Sequence, residues 1–155
     1  MSKSVRRVTR VLQEAGLDIV PVEIGDATTA RLAADLVGCD VAQIAKSVML
    51  RGQDTGAAVL FVTSGAARVD DTRAATVAHE PLGKADAALI RAQTGFAIGG
   101  VAPVGHLTRP RAFFDPTLLE FAQVWAAAGT PRHLFAIAPR DLLWLSGADV
   151  AEFTG

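Results

Sequence analysis

Lys46-Ser47-Val48-Met49-Leu50-Arg51 and Ala57-Ala58-Val59-Leu60-Phe61-Val62-Thr63 are two largely apolar runs on either side of Gln53-Asp54-Thr55-Gly56, a tetrad of turn-forming residues. This pattern predicts a β-hairpin near the middle of a sheet. Upstream, Val5, Val8, Leu12 and Ala15 recur at three-to-four spacing before Gly16, which predicts an amphipathic first helix with Lys3, Arg6, Arg7 and Arg10 on its polar face. Residues 17–24 are rich in β-branched side chains and predict a strand, which Pro21 places at a sheet edge. Thr28-Thr29 precede a short helix over 30–37 that Gly38 closes.

Downstream, Asp70 or Asp71 is expected to cap a helix reaching Ala78, and a second helix spans 85–93 before Gly95. Residues 111–114, 121–125 and 133–138 read as short strands, and a last helix opens at Pro139 and ends near Gly147. Alternating strands and helices followed by a run of strands give a mixed α/β class, best described as a barrel-like β-sheet surrounded by helices.

The chain has 155 residues, a size that suits one domain over 1–155. Half of its residues are apolar, which separates it from disordered chains. Lysine and arginine total 15 against 16 acidic residues, so the basic excess of a nonspecific nucleic-acid binder is missing. Cys39 is the single cysteine and forms neither an internal disulfide nor a multi-thiolate metal site, which fits a reducing compartment and makes the cytoplasm the expectation. Arg6-Arg7 is not followed by an apolar segment, and no stretch approaches the ~20 apolar residues of a membrane span, so neither secretion nor a membrane is expected. His79, His106 and His133 share no neighbouring residues, and no metal or cofactor motif is present.

The serine-esterase elbow and the phosphate-binding loop are absent as well. Two segments stand out. Gly95 to His106 holds four glycines in its first eleven positions, a composition that bares backbone N–H groups to a carbonyl or carboxylate oxygen or else forms a tight turn with a bulge. Lys46 opens an apolar strand, where its head either escapes to solvent or meets an anion.

Ile44-Ala45-Lys46-Ser47-Val48, the Gly95–Gly105 loop, Ala128-Gly129 and Ile137-Ala138-Pro139-Arg140-Asp141-Leu142-Leu143-Trp144-Leu145-Ser146-Gly147 together resemble the YbaK / prolyl-tRNA synthetase editing-domain family. The resemblance runs through nearly the whole chain, with Ser47-Val48 where the family usually has Thr-Leu. It implies hydrolysis of the ester joining a wrong amino acid to the 3′ end of tRNA, with a Cys- or Ala-tRNA(Pro)-like substrate and no cofactor. It also implies Lys46 as electrostatic anchor and the Gly99 and Gly100 N–H groups as positioners of the ester. Ser47, Gly95, Pro103, Gly105, Gly129 and His133 are the expected substrate-binding residues, with Pro103 stiffening the loop.

His133 follows the Gly129-Thr130-Pro131-Arg132 turn and either borders the pocket or is a plain surface histidine; His106 has the same two readings. The partners this implies are the tRNA 3′ end and an aminoacyl-tRNA synthetase, with a monomer as the default. A non-catalytic module that binds aminoacyl-tRNA or a synthetase is the alternative. Near-neutral charge suggests that only the tRNA end is held, through Lys46 and Arg6, Arg7, Arg10, Arg109 and Arg111.

Overall fold

The computed structural model describes residues 2–155. Helix α1 (Lys3–Glu14) starts where the Ser2 hydroxyl accepts from the Val5 N–H at 3.1 Å. It buries Val5, Val8 and Leu12, each contributing roughly 1.5–3 kcal/mol by leaving water. The expected strand over 17–24 shrinks to β1 (Val22–Glu23), paired with β7 (His133–Ile137) through Leu134 and His133. Leu17 and Ile19 pack on the core from irregular backbone, and Pro21, lacking an N–H, precedes the two residues that pair. β1 lies at an end of the sheet, as Pro21 suggested.

Helix α2 (Ala30–Val37) and a 3-10 turn (Val41–Gln43) lead to the hairpin, β2 (Ile44–Gly52) and β3 (Ala58–Ser64). The two strands pair from Ala45↔Ser64 to Arg51↔Ala58. β3 is buried along its whole length because both faces are covered: Ala58, Leu60 and Val62 join the core containing Val8, Leu12, Phe96 and Phe135, while Val59 and Phe61 pack with Ala74 and Phe153.

Helix α3 (Asp71–Ala78), capped by Asp70, and β4 (Leu82–Lys84) follow. Helix α4 covers Ala87–Thr94 rather than 85–93, because the Asp86 carboxylate accepts from Leu89 N–H at 2.8 Å and fixes the start. After β5 (Arg111–Phe114) a 3-10 turn occupies Pro116–Glu120. Its last N–H partner is Phe121, so β6 is Val124–Ala127 and the strand expected over 121–125 begins three residues late. Helix α5 (Pro139–Ser146) and β8 (Asp149–Val150) complete the chain. Among the described residues the result is a mixed eight-stranded sheet ordered β1-β7-β6-β2-β3-β5-β8, with β4 also on β2.

Glu80, buried between α3 and β4, accepts from the Asp54 and Thr55 N–H groups at 3.0 Å and from the Thr55 hydroxyl, and it pairs with Arg111. These contacts tie the hairpin turn to the sheet. The Thr55 N–H first, then Asp54, the Thr55 hydroxyl and Arg111, hold the carboxyl below its ordinary range against the opposing effect of burial.

Candidate functional site

One edge of β2 is only partly covered. β3 pairs with it throughout, whereas the opposite edge carries β6 at Ile44–Ala45 and β4 at Leu50–Gly52, leaving Lys46 to Met49 without a neighbour there. Ile44 O accepts from Gly65 N and Gly52 N donates to Ala57 O, both toward β3, so the alternate residues Ser47 and Met49 turn their main-chain groups to the open edge. A cleft of about 830 Å³ wraps this edge, and both Lys46 and Ser47 line it. Its apolar wall includes Met49, Ala85, Ile90 and Val101. Among the described residues its charged lining is Arg31, Lys46, Arg68 and Lys84, without a carboxylate. In a chain of net charge −1, this concentrates positive potential in one concavity.

The Lys46 ammonium donates to Ala67 O at 2.6 Å, which leaves further donors for a ligand. Burial and the neighbouring Arg68 lower its affinity for its proton, while Asp115 opposes them. The Ser47 hydroxyl is buried with no hydrogen-bond partner among the described residues. Such a group costs about 1–3 kcal/mol, and Ser47 is among the residues that line the cleft.

The glycine loop forms part of the opposite wall through Ile98, Gly99 and Val101. Gly99 has φ +91° and open space where a side chain would stand. Among the described residues its N–H donates to no protein acceptor. Gly100 differs from the expectation: its N–H already donates to Ala97 O at 3.1 Å. A Cβ there would lie 2.6 Å from Thr130 Cα, so Gly100 lets the loop pack against the 129–130 turn. Gly95 ends α4, with its N–H on Arg91 O at 2.9 Å, and does not line the cleft.

Pro103, Gly105 and His106 face a separate hollow of about 180 Å³ with Val11, Arg109 and Leu145. The His106 ring bonds Ala102 O through Nε2 at 2.7 Å, which requires Nε2 to carry the hydrogen. Burial first, and Arg7 and Arg109 after it, push this histidine down to about 4, so it is neutral at pH 7. Gly129 packs against Ser4, whereas the next two residues, Thr130 and Pro131, line the cleft. His133 lies outside the lining, with Nδ1 2.6 Å from the Thr130 hydroxyl.

The arginines expected to meet nucleic acid divide into two groups. Arg6 and Arg10 are exposed on α1. Arg7 binds Gly105 O at 2.8 Å and Thr94 O at 3.3 Å, with its guanidinium 4.5 Å from the Phe96 ring centre, so it staples the two ends of the glycine loop. Arg109 donates to Leu145 O, and Arg111 to Ala78 O and Glu80. The cleft instead uses Arg31, Arg68 and Lys84, which sequence reasoning missed because they come from three unrelated elements.

Residues 25–145 match the model of the aminoacyl-tRNA editing domain. The chain belongs to that family. As an editing domain it is similar, at 44% identity and TM-score 0.92, to a crystal structure described as a candidate trans-editing enzyme for prolyl-tRNA synthetase, with 100% of this chain and 99% of that one covered. The crystal structure of hypothetical protein APE2540 has 25% identity and TM-score 0.87 over 96% of this chain and 99% of that one. The uncharacterized protein YwhH of Bacillus subtilis (strain 168) is 29% identical over 125 residues, 81% of this editing domain and 78% of YwhH. Among the described residues no helix is long and apolar enough to cross a membrane.

Proposed function

We propose that this editing domain hydrolyses the ester linking a wrongly attached small amino acid to the 3′ end of tRNA, with alanyl- or cysteinyl-tRNA(Pro) as the substrate type. The observation that carries the reading is the cleft itself: four basic side chains, no acidic one, an apolar wall and an unpartnered hydroxyl. A 3′-aminoacyl end has the matching parts, anionic phosphates joined through a ribose ester to a small side chain. Lys46 and Arg68 attract the phosphate and ribose end, and the aminoacyl group lies against Met49, Ile90 and Val101. Ser47 Oγ and the Gly99 N–H hold its polar atoms.

Water attacks the ester carbonyl, and the C–O bond to the ribose breaks. The ribose oxygen leaves with the bonding electrons and takes up one proton from the attacking water, the amino acid leaves as its carboxylate, and the water's second proton passes to solvent. No side-chain base is required if the ester is oriented and the developing oxyanion meets fixed N–H donors. An adjacent ribose hydroxyl can relay the proton.

Incubation of the purified protein with a panel of mischarged tRNAs tests this. Release of alanine or cysteine from tRNA with the proline anticodon is the expected result, and no release from any member contradicts it. With four basic groups at the cleft, log Kd should rise with log salt with a slope no steeper than about 3, from ~0.7 per phosphate contact on single strands. A steeper slope would show that the protein grips much more than the tRNA end. Action in the cytoplasm, alone or beside a synthetase, completes the proposal.

A further inference from the structure

Lys46 is held in place from outside its own strand. Its ammonium donates to Ala67 O at 2.6 Å, and Ala67 ends the turn that follows β3. That turn is fastened at each corner. Ala67 N donates to Ser64 O at 2.9 Å and Gly65 N to Ile44 O at 2.7 Å. Ser64 Oγ donates to Ala42 O at 2.8 Å, and Val41 O leaves no room for a side chain on Gly65.

The remaining fastening comes from Asp115, 1% exposed, whose Oδ2 accepts from Ser64 N at 3.0 Å while Oδ1 accepts from Thr117 N at 2.9 Å. A carboxylate suits this place because it offers acceptors on both sides. We propose that Asp115 is a positioning residue for Lys46, fixing the turn that receives the ammonium and placing a buried carboxylate beside that turn.

The proposal rests on Lys46 serving the ester site. The charged groups that act on Lys46 are Arg68 of the turn and Asp115, and Arg31 of α2 and Lys84 of β4 line the same cleft. Three are cations. Asp115 is the one that strengthens the hold of Lys46 on its proton, against burial and Arg68.

The protein has three lysines, Lys3, Lys46 and Lys84, so NMR titration of lysine side-chain methylenes resolves Lys46 without crowding. In Asp115→Asn the Lys46 titration moves to lower pH, and the alkaline limb of ester release moves the same way. Asp70→Asn, which removes a capping carboxylate at α3, leaves both in place. Arg68→Gln moves the Lys46 titration to higher pH. Should Asp115→Asn fail to fold, Asp115→Ser, which keeps a capping oxygen without the charge, carries the same expectation. A Lys46 titration unmoved in the folded Asp115 variant overturns the proposal. Absence of ester release from the wild type, with the titration shifted as expected, overturns the functional reading and leaves the Asp115–Lys46 coupling standing.

Discussion

The two walls of the cleft are built by different means. Lys46 and Ser47 sit on a strand whose position is set by a seven-pair ladder with β3. The facing glycine loop has no ladder, and its shape depends on side chains reaching in from far along the chain. Arg7 meets Gly105 across 98 positions, and the loop closes on Thr130 only because Gly100 lacks a side chain. One wall is positioned by the register of a strand pair, while the other is positioned by a few long-range contacts.

The largest effect that would expose this difference is on Gly100. Gly100→Ala forces a methyl onto backbone atoms of Thr130 and should cost about 3 kcal/mol, roughly 6–12 °C in Tm for a chain of this length. At Gly99 the space is open, so Gly99→Ala should cost only the strain of a left-handed backbone, about 1–2 kcal/mol. Equal losses by thermal denaturation would erase the distinction.

Arg7→Ala comes next. It removes two hydrogen bonds and the contact with Phe96, with an expected cost of about 2 kcal/mol and a rise in KM for the ester as the loop loosens. Arg6→Ala, one residue away on the exposed face, should stay within ~0.5 kcal/mol. If Arg6 matters more than Arg7, the staple is not what shapes the loop.

The smallest effect at neutral pH concerns His106. Its folded value near 4 lies below the ordinary 6.5, so the unfolded chain binds the proton more readily. Stability from this residue is complete above pH 6.5 and is lost as pH falls toward 4, by about 3 kcal/mol. His106→Gln, which keeps an N–H donor but does not titrate, should remove that part of the acid sensitivity. Urea denaturation of both proteins at pH 7 and pH 4 measures the difference, and identical pH dependences would contradict it.

The same division explains what the sequence disclosed. The hairpin was legible because two apolar runs around a turn are a local signal, and Lys46 was legible because a lysine stands out at the start of such a run. The open edge of β2 was not, since it depends on where the three-residue β4 and four-residue β6 stop. The glycine loop was recognisable as unusual, but composition does not reveal that Gly100 N–H is already bonded while Gly99 N–H is free of protein acceptors. Arg7, Arg109 and Arg111 were assigned to nucleic acid by charge alone. Their hydrogen bonds to distant carbonyls or to Glu80 arise only in the fold, as does the convergence of Arg31, Arg68 and Lys84.

The most direct test of the central claim is single-turnover release of alanine from alanyl-tRNA bearing the proline anticodon, by the wild type and by Lys46→Ala, with Tm recorded for both. Lys46→Ala gives up one hydrogen bond, to Ala67 O, of about 1 kcal/mol, against the burial of its charge, so Tm should change by no more than about 4 °C, while release falls about 100-fold, the scale of losing one electrostatic contact to a developing anion. Release at the wild-type rate by a stably folded Lys46→Ala protein would contradict the account.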